Sequence, residues 1–293
     1  MPAAVAQSLV LGLLVGALYG LVALGLSLVF GVTKFLNVAH GELLMFGGYA
    51  SFWVFSLLGV DPFLTIPTTI VFLLVIGIIL YQVLFVRMVK LAEEDKIKNT
   101  LLVGFGLSVI LQNLALRFWT ADDRGITAAY SRLALTILGV RFPLVRMASL
   151  CTALVFLLAL HLFLRKTYTG KAIRATVQDW EAATMMGIDI HKVYLLAFTL
   201  GAALAGVAGT LVAVNYSIEP SMGLNWTLKA LIVMVLGGLG SIMGTFAGGL
   251  ILGLTESATS LLISNNYREV VSLVLFLLIL IFRPQGLFGA KEG

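Results

Sequence analysis

The sequence of 293 residues is 60% hydrophobic and only 11% charged, with a mean hydropathy of +1.06. Soluble domains average about 45–50% apolar and about 25% charged residues, so this composition excludes a soluble globular protein and predicts one that is solvated by lipid. The formal charge of +5 comes from basic residues in short loops between apolar runs, and no basic, aromatic-interleaved face indicates binding to nucleic acid.

Apolar runs follow one another along the whole chain, which predicts an all-α polytopic membrane protein with a single transmembrane domain over residues 1–293. With about 20 apolar residues per span, the length allows about eight or nine transmembrane helices, some of them discontinuous, and no separate soluble domain. The first run is too long for the apolar part of a signal peptide, so we expect it to be retained. The runs cover residues 5–31, 41–58, 63–86, 100–119, 147–164, 193–214, 226–236, 242–263 and 269–282.

Three polar connections predict the orientation of these spans. Residues 87–100 and 165–192 carry several Lys and Arg residues, which places both connections in the cytoplasm. The loop 120–146 then lies outside, and the C-terminal tail lies in the cytoplasm. The side of the N-terminus stays open, because nine complete spans put Met1 outside, whereas a break within Gly25–Gly48 leaves eight spans and puts it in the cytoplasm.

The first polar cluster among the apolar runs comprises Asn37, His40, Gly41 and Glu42. Ionisable groups within a span are costly and usually face the bundle interior or a water-filled path. One interpretation is therefore the wall of a translocation cavity that hydrogen-bonds a zwitterion or an amide. The other is a helix-breaking hinge capped by its own side chains, or a cytoplasmic loop. A metal site is not expected, because His40 and Glu42 would point to different faces of a helix and no third ligand is evident.

The glycine-rich stretch 235–253 is the second irregular segment, and Gly237, Gly238 and Gly240 are candidates for the substrate pathway. Irregular backbone at membrane depth is tolerated where it lines a cavity, and transporters built from repeats often contain paired broken helices. Close packing of helices, or a turn at a helix end, is the alternative. No GxxxxGK[ST] phosphate loop occurs in the chain, so the nucleotide sites of an ATP-driven system would lie on another polypeptide.

The remaining observations concern Glu256, the single cysteine and the possibility of catalysis. Glu256 is a lone carboxylate in an apolar run, and we expect a buried structural hydrogen bond to Ser or Thr residues nearby in the sequence, with substrate contact as the alternative. The single cysteine, Cys151, excludes an internal disulfide and a cysteine-based metal site. No Ser/His/Asp or paired-carboxylate arrangement predicts catalytic residues, so an integral-membrane enzyme is not expected.

The stretch VQDWEAATMMGIDIHK, residues 177–192, predicts a short amphipathic helix that ends at Gly187. Val177, Trp180 and Met185 would share one face with Ala183 or Thr184. A short helix held between two spans by basic loops is suited to fill a groove on a soluble partner. The alternative is a helix that lies on the membrane surface.

Within this stretch, Glu181, Ala182 and Ala183, followed after three residues by Gly187, resemble the EAA coupling motif of ABC importer permeases. Residues 36–49, 170–189, 228–249 and 282–289 together are similar to the first of the two permeases of branched-chain (hydrophobic) amino acid uptake systems. The resemblance covers nearly the whole chain. It implies that the helix from Trp180 to the glycine docks into a cleft on a cytoplasmic ATPase.

The resemblance also implies an assembly in the bacterial inner membrane. Its other members would be a second, related permease, two cytoplasmic ATPases that hold ATP and Mg²⁺, and a periplasmic or extracellular substrate-binding protein; this chain itself would bind no cofactor. Sister branches carry urea, short amides or aromatic acids, so the substrate stays open. An ion-coupled secondary transporter is disfavoured because it does not need a long cytoplasmic loop with an EAA helix.

Overall fold

The computed structural model describes residues 2–89, 93–137, 139–283 and 285–289, so parts of the 87–100 connection, of the 120–146 loop and of the C-terminal tail lie outside the described residues. The predicted all-α polytopic class is confirmed. The α-helices are α1 (Pro2–Thr33), α2 (His40–Leu58), α3 (Ile66–Leu80), α4 (Glu93–Trp119), α5 (Leu144–Lys166), α6 (Tyr168–Gln178), α7 (Trp180–Met185), α8 (Ile190–Asn215), α9 (Met222–Gly237), α10 (Ile242–Leu262) and α11 (Arg268–Phe282). The sequence did not predict the antiparallel hairpin of β1 (Ala134–Ile137) and β2 (Val140–Pro143).

Within the described residues, seven helical segments are long and apolar enough to cross a bilayer. The pair α9 and α10 is a further candidate, and it is bent by 114° at the junction. The described helices therefore give seven spans, or up to eight if this pair is counted as one. The 16 residues of α9 reach only about 24 Å, less than the roughly 30 Å of a bilayer core.

Contacts of the connecting segments distinguish the two ends of the bundle. The Gln7 side chain near the start of α1 donates to the Arg141 carbonyl at 2.8 Å and accepts from the Arg141 backbone N–H at 2.7 Å. At the far end of α1, the Phe35 ring packs against Phe85 and against Tyr194 near the start of α8. We call the end that carries residues 120–143 the outer end, and the opposite end the inner end.

This arrangement places the start of α1 at the outer end, on the side that the count of nine spans had given to the N-terminus, while Met1 itself lies outside the described residues. The tail returns to the inner end, where the Leu287 N–H donates to the carbonyl of Leu236 at 3.0 Å. The predicted break within Gly25–Gly48 corresponds to residues 34–39, which separate α1 from α2.

The helices α1 and α8 form the enclosed centre of the bundle, and α1 packs most extensively against α10. Glycines make this antiparallel contact possible. A Cβ at Gly16 would lie 2.7 Å from the carbonyl oxygen of Gly249, and one at Gly249 would lie 2.3 Å from the nitrogen of Gly20. Small residues allow backbones to approach closely where no hydrophobic effect drives helices together, so Gly249 fits the close-packing interpretation of the stretch 235–253. At the periphery of the bundle, α3, α4, α5 and α11 expose Leu, Ile, Val and Phe side chains.

Candidate substrate pathway and coupling surface

The connection between α1 and α2 is irregular backbone buried inside the bundle. It begins at Lys34, whose φ of 58° lies in the left-handed region. The Thr33 hydroxyl accepts a hydrogen bond from the Phe35 N–H at 3.0 Å and donates to the Val29 carbonyl at 2.8 Å. Local side-chain bonds therefore replace the helical ones where α1 ends.

Other helices satisfy the rest of this connection. The Asn37 side chain accepts from the Ala39 N–H at 3.1 Å, and the Thr100 hydroxyl of α4 accepts from the Leu36 N–H at 3.1 Å. The Thr227 hydroxyl of α9 donates to the Val38 carbonyl at 2.9 Å. Asn37 thus caps its own turn, as the hinge interpretation predicted.

His40 and Gly41 start α2 against two neighbouring helices. The His40 Nε2 atom lies 2.9 Å from the Val22 carbonyl of α1, and the ring is buried. The Gly41 N–H donates to the Thr227 hydroxyl at 2.8 Å, and a Cβ at this position would lie 1.8 Å from the Gly223 carbonyl. A side chain larger than hydrogen therefore has no room at position 41.

Glu42, in the first turn of α2, lies in the middle of the bundle and faces the first turn of α9. One carboxylate oxygen accepts from the Ser108 hydroxyl at 2.9 Å, and Ser108 is near the midpoint of α4. The other oxygen is buried and has no hydrogen-bond partner among the described residues. A Cβ at Gly223, in the first turn of α9, would lie 2.2 Å from the Glu42 Cδ. The positive ends of two helix dipoles thus face this carboxylate.

In this conformation the cluster of Asn37, His40, Gly41 and Glu42 is closed, since the three side chains with polar groups are each at most 2% exposed. The closed arrangement corresponds to the hinge interpretation, and a place in the pathway stays a prediction. No group of three or more His, Cys, Asp or Glu residues that could hold a metal ion occurs among the described residues.

The predicted glycines Gly237, Gly238 and Gly240 form the sharp turn between α9 and α10 at the inner end. Gly238 has φ 105° and Gly240 has φ 81°, conformations that other residues rarely adopt. A Cβ at Gly240 would lie 3.1 Å from Gly31 of α1, and the Gly237 carbonyl accepts from the Phe288 N–H at 3.3 Å. The structure therefore does not bring these glycines to the Asn37–Glu42 cluster. The start of α9 lies against that cluster instead.

Sequence reasoning missed an ion pair in the bundle. The Lys229 Nζ atom of α9 lies 3.0 Å from a Glu256 carboxylate oxygen of α10. Glu256 also accepts from the Tyr19 hydroxyl at 2.7 Å and from the Ser272 hydroxyl at 2.9 Å. The prediction of a buried hydrogen bond at Glu256 is confirmed, but the expected partners in its own helix were wrong, because the bonds come from three other helices. Lys229, a lone cation in the run WTLKALIVMVLG, was the available signal, since a charge within a span requires a partner.

The predicted amphipathic helix around the EAA residues is divided in two. The backbone of Asp179 is extended, with φ −157°, so α6 ends at Gln178 and α7 starts at Trp180. The Asp179 side chain caps α7 by accepting from the Ala182 N–H at 2.9 Å. Val177 therefore belongs to a different helix from Trp180, because a capping aspartate at this position starts a new helix.

The C-terminal end of α7 confirms the predicted helix stop. Gly187 has φ 83° and its N–H donates to the Thr184 carbonyl at 2.9 Å, while the Ile188 N–H reaches the Ala183 carbonyl at 3.1 Å. This pair of bonds is the Schellman arrangement. The chain then enters α8 at Asp189, whose pKa is lowered by a hydrogen bond from the Lys192 backbone N–H.

The two faces of α7 differ in exposure. Ala183 is buried towards the bundle, whereas Trp180, Met185 and the following Met186 are exposed, the two methionines by more than 80%. Glu181 and Ala182 are exposed as well. The Lys96 ammonium of α4 lies 5.7 Å from the centre of the Trp180 ring. The inner end thus presents a short helix with a large exposed apolar surface.

The chain matches a family model described as the permease component of branched-chain amino acid transport systems, over residues 8–280. The chain belongs to this permease family. No solved structure matches it significantly.

Similar proteins extend over the full length of this permease. It is 32% identical to the high-affinity branched-chain amino acid transport system permease protein LivH of Salmonella typhimurium, over 98% of this chain and 96% of the relative. It is 30% identical to the permease protein BraD of the corresponding system of Pseudomonas aeruginosa, with the same coverage. A probable LivH from Methanocaldococcus jannaschii is 29% identical over 92% of this chain and 88% of the relative.

Proposed function

We propose that this permease forms half of the translocation pathway of an ATP-driven importer for branched-chain amino acids in the bacterial inner membrane. A second, homologous permease forms the other half. Two cytoplasmic ATPases bind the ATP and Mg²⁺, and a binding protein delivers the substrate at the outer end. The names of the full-length relatives support the substrate class.

The exposed α7 is the observation that carries the coupling part of this proposal. An isolated helix of six residues is not stable in water, yet α7 is fixed by a cap at each end and projects Trp180, Met185 and Met186 outwards. Exposed aromatic and methionine side chains are typical of residues that anchor protein interfaces. The ATPase cleft is the partner that would cover them.

The coupling proposal is tested with Gly187→Val and Glu181→Arg. A valine at φ 83° is strained and disrupts the end of α7, and the arginine reverses a charge on its exposed face. We expect both variants to insert in the membrane but to lose ATPase recruitment, or to hydrolyse ATP without uptake. Pull-down of the ATPases and ATP hydrolysis in proteoliposomes measure the two effects.

Gly59→Val is the matched control. Gly59 also ends a helix with positive φ, 65°, and as at Gly187 no atom of the described residues lies within 4 Å of the point that a Cβ would occupy. It ends α2, however, which lies away from α7, so the variant carries the same local strain without touching the proposed docking surface. Normal recruitment, substrate-stimulated hydrolysis and uptake in both α7 variants would contradict the coupling role.

The proposed orientation is tested by labelling single cysteines in a Cys151→Ser background. Gln178→Cys should react only with reagent supplied from the cytoplasm, and Ala4→Cys and Ala129→Cys only with reagent from outside. The side chains of Ala4, Ala129 and Gln178 are exposed in the structure, so a cysteine at each position is accessible to the reagent. Reaction of position 129 from the cytoplasm would invert the orientation.

A further inference from the structure

A cavity of about 880 Å³ opens in the outer half of the bundle, between α1, the start of α5, α9, α10 and the start of α11. Its wall contains Gln7 near the outer end of α1 and Asn265 just before α11. Among its wall residues on α1, Tyr19 is the farthest from the outer end and lies 14 positions before the inner end of the helix. The cavity therefore extends from the outer end towards the middle of the bundle.

The floor of this cavity is built around one ammonium group. Lys229 Nζ donates to Glu256 at 3.0 Å and lies 3.4 Å from the Tyr19 hydroxyl and 4.9 Å from the centre of the Tyr19 ring. Glu256 is held in turn by hydrogen bonds from Tyr19 and Ser272. The ammonium is thus fixed in position by groups that are themselves fixed.

Lys229 keeps bonding capacity towards the cavity. An ammonium has three donor hydrogens, and its two hydrogen bonds among the described residues, to Glu256 and Tyr19, leave one for a ligand. The Lys229 side chain is 23% exposed, whereas its carboxylate partner is 5% exposed. Glu256 therefore acts as the buried counter-charge, and Lys229 is the group of the pair that a ligand can reach.

The rest of the wall carries charges of both signs beside apolar surface. Arg146 and Arg268 are basic, Glu269 is acidic, and Leu11 and Val15 are apolar. An α-amino acid has a carboxylate, an ammonium group and, in the branched-chain class, an apolar side chain. A wall that served a neutral solute would not require intramembrane charges, which are costly to bury.

We propose that this outer cavity is an amino acid subsite of the pathway, in which Lys229 binds the substrate α-carboxylate and Glu256 and Tyr19 are positioning residues for Lys229. The subsite rests on the proposed function, because it takes the substrate of that importer. It lies on the face of α9 opposite Thr227, which contacts the closed Asn37–Glu42 cluster.

The first test uses the assembled importer in proteoliposomes with binding protein and radiolabelled L-leucine. Lys229→Met removes the charge at similar length, and we expect at least about a tenfold fall in initial uptake rate, as loss of one charge-assisted hydrogen bond predicts. Arg117→Met is the matched control, since it removes a basic residue from the outer end of α4, which does not line the cavity. Its uptake should equal that of the wild type.

The double variant Lys229→Met/Glu256→Gln separates substrate binding from folding. It removes both charges, so no unpaired carboxylate remains in the bundle. If Lys229 binds substrate, uptake stays low although the double variant assembles normally. Recovery of wild-type uptake in the double variant would show that the lysine only neutralises Glu256, and would overturn the proposal.

Chemical rescue tests the charge directly. Lys229→Cys in a Cys151→Ser background is treated from outside with 2-bromoethylamine, which converts the cysteine to a sulfur analogue of lysine. We expect the amine to restore uptake, a neutral methylthio group not to restore it, and excess L-leucine with binding protein to slow the modification. Equal rescue by the neutral group, or no reaction from outside, overturns the subsite.

The experiments distinguish failure of the proposed function from failure of the proposed subsite. A wild-type importer that takes up no L-leucine refutes the proposed substrate and the subsite with it. A wild-type importer that takes up L-leucine, together with Lys229→Met that does so at the same rate, refutes the subsite alone.

Discussion

The helix α9 separates two polar sites in the interior of this permease, and the buried polar groups of the two sites find their partners in different ways. On one face, Thr227 bonds to the backbone of Val38 and Gly41 within a closed cluster. Two residues later, on the opposite face, Lys229 pairs with Glu256 at the floor of an open cavity. The closed site mainly satisfies irregular backbone together with one carboxylate, whereas the open site satisfies a pair of opposite charges.

The difference follows from what each kind of group requires. Backbone groups need partners at fixed positions, so the closed site depends on glycines that bring α2 and α9 into contact. Charged side chains are long enough to meet across a gap, so the open site tolerates a cavity between its helices. Polar residues in a membrane interior therefore do not by themselves mark a path for substrate.

The largest effect on stability is expected at Gly41, in the closed site. A Cβ in Gly41→Ala would lie 1.8 Å from the Gly223 carbonyl, so α2 and α9 must separate. We expect a loss of stability above the roughly 3 kcal/mol of ordinary overpacking. Thermal unfolding of the purified permease in detergent measures it.

Gly106→Ala is the control for this prediction. Gly106 is also helical, but among the described residues no atom lies within 4 Å of the point that its Cβ would occupy. We expect it to be neutral or stabilising by about 0.4–1 kcal/mol, because alanine restricts the unfolded chain. Equal unfolding midpoints for the two variants would contradict the tight contact at Gly41.

A smaller effect is expected when the open site is broken. Glu256→Gln leaves Lys229 without a counter-charge, and because the lysine is 23% exposed we expect a loss near the lower end of buried pairs, about 3 kcal/mol. Adding Lys229→Met should recover at least half of it. A double-mutant cycle on unfolding free energies measures the coupling, and strictly additive losses would contradict the ion pair.

The smallest effect on stability is expected at Glu42. Glu42→Gln keeps an acceptor for Ser108 and loses only the attraction between the carboxylate and two helix dipoles, about 1 kcal/mol. If the cluster opens during transport, uptake falls by up to about tenfold in Glu42→Gln and Asn37→Leu while assembly is retained. Normal uptake in both variants would leave the cluster a structural hinge.

Features that depend on local composition and pattern could be predicted from the amino acids alone. Long apolar runs required membrane helices, because lipid offers no partner for exposed backbone. Gly187 predicted the end of α7, since a left-handed residue there favours glycine. The Asn37–Glu42 segment was recognised as irregular because its polar residues stand close together in the chain.

Which distant residues share a site became evident from the packing of the helices. Lys229 and Glu256 are separated by 27 positions, and Tyr19 and Glu256 by 237, so no local pattern joins them. The glycines of the 237–240 turn were assigned to the substrate pathway, yet the structure places them at the inner end, against Gly31 and the tail. Sequence neighbours reveal helices and caps because those bonds are local. Ion pairs and cavities between helices depend on packing, which brings remote positions together.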